Sequence, residues 1–366
     1  MAEVVVVEPY YGGSHRVWAD TWQRHSEHSI SLITHPDQFW RWRLRGGAVT
    51  LAEAFHEHCA THGRPDVVVV SGLVDVAAFT GLARASLHDV PVAVYVHESQ
   101  LLYPLAPNQR ADSSSALINW QSLLAADAVW FNSEFHRSAL REALPRLLDS
   151  QPTPSHHHLV DAVFARSEVL YPPVELQGLL DQDRSERTVP RVLWNQRWDH
   201  DKNPHSVFAA LVEMAADGLD FTLALAGQNQ RPDNADFAWV HEQLGDRIDH
   251  VGHAPADDYR QLLIDSDVVI SAADHEFFGI ALVEAMAAGA VPVLPDRLSF
   301  PELVQPQWHD AVLYPDGALR SGVRTALDDL AGIRNATDGL RSSMARFDAV
   351  PAAAGHDAAV DGLRKI

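Results

Sequence analysis

Short β-branched runs alternate with helix-length segments along nearly the whole chain, and this alternation limits the fold more than any other feature. VVVVEP (4–9), SISLIT (29–34), DVVVVSG (66–72), VPVAVYVHE (90–98) and DAVWFNS (127–133) are separated by amphipathic stretches such as HRVWADTWQRHSE and SALINWQSLLAA. Apolar strands spaced by helices imply a parallel sheet covered on both faces. The pattern breaks at the Pro172-Pro173 pair and then restarts with RVLWNQR (191–197), FTLALAG (221–227), DHVGH (249–253), DVVISA (267–272), VPVLP (291–295) and AVLYP (311–315). The expected α/β architecture is therefore two doubly wound parallel-sheet domains, residues 1–172 and 173–341. A C-terminal tail from about residue 342 to 366, alanine-rich after LRSSMARF, is expected to return to the first domain.

At 366 residues the chain is long for one core, which agrees with two domains. It shows no signal-peptide pattern and no apolar run near the roughly 18 residues that a membrane span needs, so a cytoplasmic protein without a membrane partner is expected. The single cysteine, Cys59, reads as a small packed residue. With 49 acids against 28 bases, a net charge of -21 argues against nonspecific nucleic-acid binding over the whole surface, though not against one local basic groove. Three adjacent histidines, His156 to His158, lack a partner at ligand spacing, and no metal site is expected. Oligomeric state is not legible.

In an open parallel sheet, ligands gather at the carboxyl ends of strands, and the polar motifs fall at such ends. In EPYYGGSH (8–15), Gly12 and Gly13 allow either close approach of a ligand or only a tight strand-to-helix turn; His15 enters the helix that follows. His97 ends the fourth strand, facing the mouth of the sheet. In FNSEFHR (131–137), Ser133 is a candidate N-cap, with His136 and Arg137 in the first turn. In WNQRWDHDKNP (194–204), Arg197 and Lys202 are suited to the two phosphates of a diphosphate or form a solvated charge pair; only Lys202 and Lys365 are lysines, which favours the phosphate role.

The segment SAADHEFFGIALVEAMAAGAVPVLP (271–295) places Glu276 and Glu284 eight positions apart across a strand-to-helix junction. Eight helical residues rise about 12 Å, comparable to the span from sugar to ribose in a nucleotide sugar. Glu276 would then receive sugar hydroxyls and Glu284 ribose hydroxyls, with the N–H groups of Phe278, Gly279 and Ile280 facing the phosphates. Separately, FWRWRLRGG (39–47) interleaves Trp40 and Trp42 with Arg41, Arg43 and Arg45. That pattern suits single-stranded RNA, with Trp40, Arg41 and Arg43 as acceptor contacts, or else an amphipathic edge segment with buried tryptophans.

The stretch HEFFGIALVEAMAAGAVPVLP resembles the E-x7-E signature of family 4 retaining nucleotide-sugar glycosyltransferases. EPYYGGSH, HPDQFWRWRLRGGAVTLAE, VHESQLLYP, FNSEFHR and LWNQRWDHDKNP are similar to the tRNA-queuosine alpha-mannosyltransferase group within them. The resemblance implies the GT-B arrangement of two Rossmann-like domains facing across a cleft, and transfer of mannose from GDP-mannose to queuosine in the anticodon loop of aspartate tRNA. It implies no cofactor beyond the donor, no protein nucleophile, and His97 near the reacting carbon of the sugar. His97, Arg197, Lys202 and Glu276 are thus the expected catalytic set, and His15, Ser133 and His136 join the acceptor side. A lipid or small-metabolite acceptor is the alternative within the same architecture, and a non-catalytic sugar-nucleotide-binding protein is the alternative outside it.

Overall fold

The computed structural model describes residues 1–104, 113–184, 187–228 and 235–365. The chain divides into two compact units, Met1–Val174 with Phe347–Ile366, and Glu175–Arg346. The return to the first unit starts at Phe347, later than about 342, because side chains just before it bond within the second unit: Arg341 donates to Leu179 O, Gln182 O and Ala287 O, and Arg346 donates to Glu302 O and Leu303 O.

The first unit holds a parallel sheet of β1 (Glu3–Tyr11), β2 (Ser29–Pro36), β3 (Val67–Ser71), β4 (Val92–Val96), β5 (Ala128–Phe131) and β6 (Ser167–Val169) in the order β2-β1-β3-β4-β5-β6. The last strand, just ahead of the Pro172-Pro173 break, is not among the strands read from sequence, because three residues against one neighbour make no apolar run of their own. Successive residues of a strand point to opposite faces, so Val5 and Val7 join Phe55, Phe79 and Trp120 in one core. Val4 and Val6 enter the other core with Trp18, Trp22 and Trp130. Cys59 is half-buried against the first of these cores.

The helix Ala349–Leu363 closes the second core. Trp18 donates its indole N–H to His356 Nε2 at 3.0 Å, and His356 Nδ1 lies 2.9 Å from Ala352 O, so the ring is neutral with its proton on Nδ1. Burial holds its pKa down to about 4. Asp357 accepts from Trp22 Nε1 at 2.9 Å, Ser26 Oγ at 2.6 Å and Glu27 N at 2.7 Å. Asp357→Ala removes a shared acceptor from a fully buried indole and is expected to cost roughly 3 kcal/mol or more. Urea unfolding checks this, and a loss below about 1 kcal/mol would contradict it.

The second unit holds β7 (Arg191–Asn195), β8 (Thr222–Ala226), β9 (Ile248–Gly252), β10 (Val268–Ile270), β11 (Val291–Pro295) and β12 (Leu313–Tyr314) in the order β12-β11-β10-β7-β8-β9. Numbered within the unit this is 3-2-1-4-5-6, the dinucleotide-fold order, with its switch point between β7 and β10. The first unit instead has the flavodoxin-like order, with its switch between β1 and β3. No described helix is long and apolar enough to cross a membrane.

Candidate active site

In the second unit, the WNQRWDHDKNP and ADHEFFG segments leave β7 and β10, the two strands flanking the switch point, and they meet there. Asp274 N and His275 N both donate to Asp201 O, at 2.8 and 3.3 Å, tying one loop to the other. Lys202 ends a short 3-10 turn, His200–Lys202, and is only 7% exposed. Its Nζ donates to His275 O at 2.8 Å and Glu276 Oε2 at 3.1 Å and lies 3.2 Å from Asp201 Oδ2. Burial pulls the ammonium's pKa down, but Glu276 and Asp201 outweigh it and the pKa ends raised, so the group stays charged. Beside it His275 is held neutral, its pKa lowered to about 4 by burial and then by Lys202.

Arg197 is the accessible cation, its side chain 46% exposed and 3.7 Å from Asp201. Two cations and two carboxylates make this cluster neutral overall. Net charge alone therefore does not draw an anion in; the exposed Arg197 and the start of the neighbouring helix must do so. That helix, Ile280–Ala287, is capped by Gly279 at φ 100°, a left-handed conformation that disfavours any side chain. Its ladder begins with Leu282 and Val283 N–H on Gly279 O, so the N–H groups of Gly279, Ile280 and Ala281 lie ahead of it. The Phe278 ring is buried in the core, and its carbonyl accepts from Ser299 Oγ at 3.1 Å.

Glu276 stands in the loop, four residues before Ile280. Only the stretch from Ile280 to Glu284 follows a helical rise, about 6 Å, so the span expected from eight helical residues does not apply and loop geometry sets the separation. Glu284 is largely enclosed and accepts from Tyr259 OH at 3.0 Å; burial lifts its carboxyl to about 7. Tyr259 also meets Asn195 Nδ2 at 3.1 Å, and Asn195 reaches Ala281 O at 2.8 Å, linking the end of β7 to the helix that carries Glu284. Asp201, Tyr259 and Asn195 were not among the sequence candidates. Asp201 sits within the basic loop and was legible as the one acid between Arg197 and Lys202 besides Asp199, whereas nothing local marks Tyr259.

In the first unit, β1 and β4 deliver a histidine cluster. Glu8, fully buried, lies 3.1 Å from His15 Nδ1 and 3.7 Å from His97 Nε2, and the two imidazoles stack at 4.0 Å. Burial, then His15, His136 and His356, push His97 well below the ordinary histidine range. Glu8 was also missed, because a single acid at a strand end carries no pattern. Gly12 is extended, and a Cβ there would collide with the Asp37 carboxylate, so close packing inside the protein explains this glycine. Gly13 has the positive φ, 51°, that starts the helix Gly13–His25.

Ser133 caps the helix Glu134–Asp149, accepting from His136 N at 3.0 Å, and is fully buried. This places it in the fold of the loop rather than on an acceptor surface. Asn132 donates its Nδ2 to His97 O at 2.9 Å, which leaves Oδ1 to accept from His136 Nδ1 at 2.8 Å. His136 thereby positions the His97 loop from a fully buried place. Trp40 opens the helix Trp40–His62 half-buried, with the Arg41 guanidinium 5.1 Å over its ring; Arg41 is exposed and Arg43 half-buried.

Among the described residues, two groups of three bring His and acid donor atoms within 4.8 Å of one another: Glu8, His15 and His97; and Asp199, His200 and Asp201. Within the first, Glu8 Oε1 meets His15 Nδ1 at 3.1 Å while Glu8 Oε2 and His97 Nε2 are buried without a hydrogen-bond partner; within the second, His200 Nδ1 meets Asp199 Oδ1 at 2.9 Å and Asp201 Oδ2 lies 3.2 Å from Lys202 Nζ. Of the three adjacent histidines, His157 pairs with Asp149 at 2.9 Å and His156 Nδ1 accepts from Trp120 at 3.4 Å.

Comparison with known proteins adds the following. Residues 3–174 match the family described as tRNA-queuosine alpha-mannosyltransferase N-terminal, and residues 181–331 match glycosyl transferases group 1. The tRNA-queuosine alpha-mannosyltransferase of Drosophila melanogaster is 30% identical over 311 residues, covering 82% of this chain and 81% of that protein. Among solved structures, sucrose-phosphate synthase from Thermosynechococcus elongatus superposes with a TM-score of 0.73 at 17% identity, covering 99% of each chain. The catalytic domain of starch synthase IV from Arabidopsis thaliana gives 0.74 at 12% identity, covering all of each chain.

Proposed function

Because the chain belongs to the tRNA-queuosine alpha-mannosyltransferase family and is a glycosyltransferase of the GT-B fold, we propose that it transfers mannose from GDP-mannose to queuosine in the anticodon loop of aspartate tRNA, retaining the anomeric configuration, in the cytoplasm. The observation that carries this reading is the meeting, at the switch point of the second unit, of Arg197, Lys202 and Glu276 with a helix start. Breaking the sugar-phosphate bond leaves negative charge on the diphosphate. A guanidinium, an ammonium held charged by two acids, and preorganised N–H groups stabilise that charge as it develops. Glu276 takes sugar hydroxyls, and Glu284 takes the ribose hydroxyls from its helix. His97, kept neutral, contacts the sugar near the reacting carbon. No protein nucleophile takes part, and no metal is needed because the exposed Arg197 guanidinium and the N–H groups at the helix start stabilise the charge of the leaving group.

Incubation with GDP-mannose and queuosine-containing bulk tRNA, with and without a chelator, followed by nucleoside mass spectrometry, tests this. The expected product is a queuosine bearing one hexose, formed equally in both conditions. Unchanged queuosine would refute the acceptor assignment, and loss of product with the chelator would refute the metal-free mechanism.

A further inference from the structure

The arginine-rich segment that opens the helix Trp40–His62 is turned differently from what its spacing suggests. Its open aromatic face is formed by Phe39 and Trp42, which are 75% and 64% exposed, and not by Trp40. Resting on the tRNA acceptor reading above, we propose that Phe39 and Trp42 form a stacking platform for unpaired bases of the RNA, with Arg41 and Arg45 beside it for the phosphates.

Four observations carry this. Trp42 packs beside its own helix: a Cβ on Gly46, one turn on, would come within 2.8 Å of the indole. The indole is thus held beside the backbone and yet stays 64% exposed, leaving ring surface for stacking. Phe39, the residue before the helix, sits at φ 57° in the left-handed region, where a bulky side chain is rare and costly. That strained conformation leaves the ring in solvent. Residues 38–52 contain three arginines and no acid, a cationic island in a chain of net charge -21; charge complementarity selects a polyanion with flat rings over an apolar protein surface. Finally, β1 and β2 are paired up to Tyr11 and Pro36, and the Asp37 carboxylate packs against Gly12. The platform therefore stands at the same sheet end as His15 and His97.

Anisotropy titration of fluorescently labelled bulk tRNA, repeated over a range of salt concentrations, tests the proposal. Trp42→Ala is expected to weaken binding about tenfold or more with the salt slope unchanged, and Trp42→Phe to retain most of the affinity. Arg41→Ala with Arg45→Ala is expected to lower the slope by about one per lost phosphate contact. GDP-mannose should raise the melting temperature of all variants equally. If wild type binds tRNA and Trp42→Ala binds it as tightly, the platform is refuted while the acceptor reading stands. If wild type binds no tRNA, both fall. Equal loss in the Ala and Phe variants would refute stacking as the mode.

Discussion

Lys202→Met is expected to lower sugar transfer by at least a hundredfold and to destabilise the second unit by about 3–5 kcal/mol. The two effects have separate causes. Asp201 is 1% exposed and Glu276 is largely covered, so removing their common cation strands two carboxylates in a desolvated site. The transfer loss reflects the charge missing from the leaving diphosphate. A companion variant separates them: Lys202→Met with Asp201→Asn removes one stranded charge and should recover a substantial part of the stability and none of the activity. Denaturant unfolding and single-turnover transfer provide both readouts. Recovery of transfer in the double variant would mean that Lys202 only holds the loops together and does not act on the donor.

The second large effect is a pH dependence in Glu284. Its carboxyl rises from an ordinary 4.5 to about 7 in the fold, through burial, so the folded protein binds this proton more tightly than the unfolded chain. The contribution to stability is complete below about pH 4.5 and is lost as pH climbs through about 7. A shift of that size corresponds to roughly 3 kcal/mol. Glu284→Gln keeps an acceptor for Tyr259 and cannot ionise. Its excess stability over wild type should be under about 1 kcal/mol at pH 5 and grow to roughly 3 kcal/mol at pH 8. Buried neutral histidines such as His275 and His356 act at the acid end, and their effect cancels when the two proteins are compared. Ribose hydroxyls donate best to an ionised carboxylate, so GDP-mannose affinity should rise with pH through about 7 in wild type and stay flat and weaker in the variant. Calorimetry across that range would refute the ribose role if both proteins gave the same curve.

The alternation of apolar runs and helices made the two parallel sheets legible before any coordinates, because strands covered on both faces must be apolar throughout. The same logic singled out Arg197, Lys202 and Glu276 as candidates, since strand ends are where polar residues interrupt such runs, and Glu284 followed from its spacing to Glu276. What escaped depends on pairings across long sequence separations. Tyr259 matters only because its hydroxyl meets Glu284 and Asn195, and Glu8 only because β1 and β4 bring His15 and His97 to it. The arginine-tryptophan segment was misphased for a different reason. Until the helix is known to start at Trp40, the buried stripe of Leu44, Ala48, Leu51 and Phe55 cannot be extended back to show that Trp40 turns inward and Trp42 outward.

The helix Ala349–Leu363 has a bearing on how the protein comes to exist. Trp18 and Trp22 receive their partners, His356 and Asp357, from more than three hundred residues downstream. A ribosome therefore releases the first sheet with one face covered only in part, by the helix Gly13–His25, and must finish the entire second unit before the rest of the wall arrives. During synthesis two indole N–H groups lack their partners, and the early half of the chain becomes fully native only after the late half has been made.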